Sequence, residues 1–290
     1  MRWRSSTYLG RPGAKRRTPV APLDPVRRSD DDAVMSALVS VERVDAGAIW
    51  RVTFGQPPGN ILDRATIREL SDTFYEARKE TSLKAVCLAG AGDHFSYGAS
   101  IQEHLPDEVS SLLAAVHQLV MSILESHLVV VSAVRGCCLG GGLEIAALSH
   151  RIMAGPGATF AQPEIALGVF APVASIVLAP RIGQVAAEDL CLTGRTVGVD
   201  EAKRLGLVDE VVSGDVVEAA HEWVRRTCVP RSARSLRYAL QAVRARLVAR
   251  VHLELPELNR LYLDGLMSTA DAVEGVQAFL EKRAPNWANE

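Results

Sequence analysis

Between Val41 and Phe54 the chain first alternates and then runs apolar (VERVDAGAIWRVTF), the pattern of two strands joined by a turn at Asp45–Gly47. QPPGN (56–60) reads as a loop. Ile67, Leu70, Phe74 and Ala77 then recur on one stripe, which predicts a helix over 64–81 capped by Asp63. LKAVCLAG (83–90) and VVVSAV (129–134) are short apolar runs of the kind buried strands make. Between them, Val109, Leu112, Leu113, Val116, Leu119, Val120 and Ile123 carry a helical period over 108–127. HFSYGASI (94–101) is a tight turn after the first buried strand, and GCCLGGG (136–142) is a glycine turn after the second. LEIAALS (143–149) reads as the helix that follows.

RIMAGP and ATFAQPEI read as short strands with a loop between them, and 172–182 as another helix. Helical signals dominate afterwards, over 200–206, 215–228, 231–253 and 255–282. Strand, glycine turn and helix in repeated order predict an α/β domain with helices packed on sheets. The chain divides into an N-terminal segment 1–34, an α/β core 35–228 and a helical region 229–290.

The composition, 48% hydrophobic and 23% charged over 290 residues, is that of a globular protein. A net charge of −2 gives no electrostatic argument for a nucleic acid or an anionic membrane as partner. Residues 1–34 stand apart, with a net charge of +4 against −6 for the rest. Pro12, Pro19, Pro22 and Pro25 break any amphipathic helix there, and no apolar core follows the basic start. That segment is expected to be disordered, or an over-extended gene start with Met35 as the true first residue.

No apolar run approaches the ~20 residues that span a bilayer. The five cysteines, Cys87, Cys137, Cys138, Cys191 and Cys228, form no CxxC pair, so neither a disulfide framework nor a zinc site is expected. Small buried thiols in a reducing cytoplasm are.

Candidate chemistry gathers at the two glycine turns. Glycine lets a backbone approach a ligand closely, and a helix N-terminus offers unpaired amides at the positive end of its dipole. Such a turn can hold a phosphate or a developing oxyanion. Neither GxxxxGK[ST] nor GxGxxG is present, so no nucleotide-binding loop is indicated. Tight strand-to-helix packing accounts for Gly140-Gly141-Gly142 equally well. Glu144 lies in the first turn of the apolar helix that follows, where the dipole alone favours a carboxylate. Glu164 lies in AQPEIALG among apolar neighbours. Buried acids need a partner or a task. Two carboxylates beside an amide-lined oxyanion site suit proton transfer next to a carbonyl.

The segments HFSYGASI, AVRGCCLGGGLEIAALSHRIMAGPGATFAQPEIALGV, LTGRTVGVDEAKRLGLVDEVV and DAVEGVQAFLEKRAPNW, in this order, resemble the crotonase (enoyl-CoA hydratase/isomerase) superfamily over roughly residues 40–287. The resemblance implies a spiral of ββα units with C-terminal helices that drive assembly of a trimer or a hexamer. It places the backbone amides of Ala99 and Gly141 in an oxyanion hole for a thioester carbonyl. Glu144 and Glu164 match the acid/base pair of the hydratases. Ser96, Tyr97 and Gly98 match the segment beside the CoA adenine. Phe279 and Lys282 match a C-terminal helix that reaches the CoA of a neighbouring subunit, and a solvated helix face is the plain alternative for Lys282. The resemblance implies no metal or redox cofactor, and CoA enters as part of the substrate.

Two departures stand out. Ser100 occupies a position where the family usually has Asp, and Pro172, Val173 and Ser175 replace glycines of a loop that borders the acyl group. GASIQEHLP, GVFAPVAS and AEDLCLTGR resemble the subgroup that hydrates cyclohexa-1,5-diene-1-carbonyl-CoA in anaerobic aromatic degradation. The expected activity is therefore a hydro-lyase acting on an α,β-unsaturated acyl-CoA, above all a cyclic dienoyl-CoA. The alternatives are another crotonase reaction (general enoyl-CoA hydration, isomerisation, decarboxylation or ring opening) and, in a different class, a catalytically silent acyl-CoA-binding oligomer.

Overall fold

The computed structural model describes residues 37–290, so the expectations for 1–34 lie outside the described residues. In chain order the strands are β1 (Val39–Val44), β2 (Ile49–Phe54), β3 (Ala85–Gly90), β4 (Val129–Val134), β5 (Cys137–Leu139), β6 (Arg151–Ala154), β7 (Thr159–Ala161), β8 (Val197–Gly198) and β9 (Glu210–Val211). The helices are α1 (Arg64–Lys79), α2 (Val109–Glu125), α3 (Gly141–Leu148), α4 (Pro172–Ile182), α5 (Gln184–Thr193), α6 (Val199–Leu205), α7 (Val216–Thr227), α8 (Ala233–Arg260) and α9 (Ala270–Leu280).

A large sheet runs β1-β2-β3-β4-β6-β9, antiparallel at β1/β2 and parallel across the rest. A small sheet runs β5-β7-β8. The chain steps from the large sheet to the small one at β4 to β5 and again at β6 to β7. A single bridge from Ser96 to Cys138 makes a third such step after β3. The α/β class read from the sequence is the one observed.

β3 and β4 are buried on both faces, as parallel strands covered by helices must be. Their side chains alternate. Val86, Leu88 and Val130 enter the main core, while Ala85, Cys87, Ala89 and Val131 lie under Val216, Ala220 and Val224 of α7. α1 begins where expected, with Asp63 accepting a 2.8 Å bond from Thr66 N.

Several elements differ from the sequence reading. Only the start of ATFAQPEI is a strand. Pro163 opens a 3₁₀ turn, Pro163–Leu167, which suits a residue with fixed φ and no donor. The glycine turn contains β5, and α3 starts at Gly141. α5 went unpredicted. The expected break at 253/255 is absent, because Val251 and Leu255 anchor α8 in the main core on the N-terminal side of Pro256 and the helix runs through it. α8 ends instead in a π-helical turn, Leu261–Gly265, and α9 restarts behind Thr269, whose hydroxyl caps Ala272 N.

Candidate active site

The segments that follow β3 and β4 meet at the carboxyl ends of these parallel strands, where α/β sheets place their ligands. Asn60 clamps the first segment. Buried at φ +46°, it donates from its carboxamide to Ala91 O (2.7 Å), His94 O (2.8 Å) and Phe95 O (3.3 Å). Ser96 is fully buried; its hydroxyl donates to Asn60 O and accepts from Gly98 N. Leu62 then binds Gly98 O and Ser100 N on either side of Ala99, as in a parallel bridge, so the Ala99 amide faces away from that bridge.

Gly141 opens α3, where an amide has no acceptor within the helix. A Cβ on Gly141 would lie 3.4 Å from Ala99 N, so the two peptide groups are neighbours. Gly98, at φ +104°, permits this approach: a Cβ there would stand 3.0 Å from Leu139 O and 3.5 Å from Gly141 N. The structure thus brings together the two amides that the sequence singled out.

It brings the two acids to the same place. Gly140 is at φ +49°, and a Cβ on it would lie 2.6 Å from Glu164 Oε1. Only glycine lets that carboxyl pack against the turn. Glu144 is buried in α3, and its Oε1 accepts from Ala174 N at 2.8 Å. Burial pushes the Glu144 carboxyl up; the amides of Ala174 and Val173, at the start of α4, oppose the shift without cancelling it. Burial also pushes Glu164 up, and the neighbouring Glu144 charge adds to it. Glu164 Oε2 is buried without a hydrogen-bond partner. Both carboxyls are therefore raised toward the neutral range.

The remaining candidates are more scattered. Tyr97 is half-buried, its ring 4.9 Å from that of His94. Phe279 is exposed at the end of α9. Lys282 lies beyond the helix rather than on it, in a turn at φ +56° where its amide donates to Phe279 O. Pro172, Val173 and Ser175 do not form a loop. Pro172 is the first residue of α4, Val173 enters the main core, and the Ser175 hydroxyl donates back to Ala171 O. Their contribution is to fix a helix N-terminus against Glu144. The sequence reading missed that role, and it missed the Asn60 clamp. A polar side chain closing a Pro-Gly loop was the only signal for the latter.

The sequence model of the enoyl-CoA hydratase/isomerase family matches residues 45–290, and the chain belongs to that family. A solved enoyl-CoA hydratase from Mycobacterium avium superposes with a TM-score of 0.77 at 27% identity, covering 88% of this chain and all of that one. Within the family, the chain is 45% identical to the cyclohexa-1,5-dienecarbonyl-CoA hydratase of Thauera aromatica over 243 residues, 84% of this chain and 94% of that protein. It is 29% identical to the carnitinyl-CoA dehydratase of Escherichia coli, over 83% of this chain and 95% of that one.

Proposed function

We propose that this chain hydrates an α,β-unsaturated acyl-CoA, and a cyclic dienoyl-CoA in particular. The carrying observation is the pair of buried carboxyls with raised proton affinity beside two adjoining backbone amides. The amides of Ala99 and Gly141 donate to the thioester oxygen, which draws electron density from the β-carbon. Ionised Glu144, oriented by the start of α4, takes a proton from water as its oxygen bonds to that carbon. The enolate charge collects on the thioester oxygen, where losing one donor typically costs about 2.7–4 kcal/mol of barrier. Protonated Glu164 then delivers its proton to carbon. The division of labour follows from the contacts, because the Ala174 amide stabilises ionised Glu144 whereas Glu164 Oε2 has no donor.

The reading calls for no metal or redox cofactor, since the thioester stabilises the carbanion. Ser96, Tyr97 and Gly98 lie beside the CoA, with the Ser96 hydroxyl acting through the turn it holds. The name of the Thauera relative supports the cyclic substrate.

Self-association as a trimer or hexamer belongs to the same reading, with Phe279 and Lys282 at a neighbour's CoA. Exposed Tyr238, Val243 and Leu253 on α8 and Phe279 and Leu280 on α9 support it. Val276 of α9 is buried within its own subunit and takes no part in it. Among the described residues no helix is long and apolar enough to cross a membrane. The five unpaired cysteines support a reducing, cytoplasmic setting.

The test offers purified protein crotonyl-CoA, cyclohex-1-ene-carbonyl-CoA and cyclohexa-1,5-diene-carbonyl-CoA, with products read by mass. Gain of one water, fastest on the cyclic diene, is the expected result. Tight binding without turnover on all three would point to the silent binder, and a higher kcat/KM on crotonyl-CoA would remove the cyclic substrate.

A further inference from the structure

Among the buried polar groups that the mechanism leaves without a task, one adjoins the site. Tyr262 is 1% exposed, and its phenol oxygen has no hydrogen-bond partner. It lies in the π-helical turn Leu261–Gly265, an irregularity often found at functional sites. The ring packs on Phe170, with centroids 5.2 Å apart, in a cluster with Leu167 and Val169. These three residues belong to the short segment that joins the Glu164 turn to the N-terminus of α4, and α4 in turn holds Glu144. Tyr262 is thus wedged against the one stretch of chain that positions both acids. Both carboxylates act on the phenol, which burial and their charges hold above its usual range.

An unpaired buried hydroxyl is destabilising, and a packed phenylalanine would avoid that penalty. Glu164 Oε2 is a second unpaired buried atom of the same region, and the two do not bond each other. A donor and an acceptor left open in this way suit a ligand oxygen that can accept from one and donate to the other. We infer that the Tyr262 hydroxyl donates to the reacting oxygen, that of the water added and of the hydroxyl it becomes, and so serves as a further catalytic residue that also selects hydroxyacyl over plain acyl thioesters. The inference rests on the hydratase reading for the identity of that oxygen, and its test does not depend on turnover.

Calorimetric binding of 2-hydroxycyclohexane-carbonyl-CoA and cyclohexane-carbonyl-CoA is measured on the full chain carrying Glu164→Gln, which keeps the hydroxyl compound intact. It is repeated on the double variant with Tyr262→Phe. The first protein should prefer the hydroxyl compound about tenfold, the worth of one good hydrogen bond, and the second should bind the two equally. Tyr262→Phe alone should melt no lower than the wild type. Absence of the preference at the outset, its survival in the double variant, or a melting temperature lowered with the preference intact would each overturn the assignment. Whether the wild type hydrates any enoyl-CoA decides the hydratase reading separately.

Discussion

On α7, His221 is buried beside charges that pair with one another. Its Nε2 lies 2.6 Å from Asp45 Oδ2, Arg225 donates to Asp45 Oδ1 at 3.0 Å, and Arg51 both contacts the other ring nitrogen and donates to Glu218 at 2.6 Å. Burial raises the Asp45 carboxyl, but the bonds from His221 and Arg225 outweigh it and leave the group below its usual value. Beside α3, Glu144 and Glu164 are buried with like charge, and the polar contacts they receive come from backbone amides. Both are raised. In the first cluster opposite charges pair directly, whereas the two acids are left short of partners, a set that substrate and water would complete under the proposed hydration. The far cluster should therefore govern stability without touching turnover, and the acid pair should govern turnover.

The largest effect is expected at the acids. Glu164→Gln and Glu144→Gln should each lower the hydration rate by ~10²–10⁴-fold while leaving CoA-ester affinity nearly unchanged, in steady-state rates set beside calorimetric binding. Near-normal turnover by either would remove that residue from the mechanism. Next comes Gly141→Pro, which deletes one amide at a helix position that tolerates proline. It should lower kcat by ~10²–10³-fold with the fold retained by circular dichroism. An unchanged kcat would show that the oxyanion is held elsewhere.

Asp45→Asn should lower stability by about 0.5–1 kcal/mol in urea unfolding and leave kcat as it was. A loss of activity at full stability would break the distinction between the clusters. The smallest effect concerns the sign of pH. The raised acids favour folding most fully below the ordinary carboxylate range, and their contribution is lost as pH rises through their folded values. Glu164→Gln should thus gain on the wild type as pH rises past neutrality. Asp45, whose carboxyl is depressed, stabilises above the ordinary range and loses that contribution as pH falls, so the deficit of Asp45→Asn should shrink in acid. Melting curves across pH would show the two variants diverging in opposite directions, and parallel curves would contradict both assignments.

What the sequence made legible was local or patterned. Asp63 and the stripe through Phe74 announce α1, and the apolar runs at 85–90 and 129–134 announce β3 and β4, because caps and period need no distant partner. β8 and β9, two residues each, carry no period and exist only because a neighbouring strand recruits them. The course of α8 through Pro256 was hidden for a related reason, as tertiary packing outweighs one missing donor. At the site, Glu144, Glu164, Ala99 and Gly141 were visible through their motifs. Asn60, the Val173 and Ala174 amides and Tyr262 were not, since each acts across a contact between segments far apart in the chain.

The central claim is that the buried acid pair carries a proton at neutral pH, and infrared spectroscopy with isotope-labelled glutamate reads this directly. The account predicts a protonated-carboxyl stretch at neutral pH in the wild type that disappears in Glu164→Gln, the spectrum of the Asp45→Asn protein matching the wild type in that region. A wild type with every glutamate ionised at neutral pH, or a protonated band that survives Glu164→Gln, would contradict it.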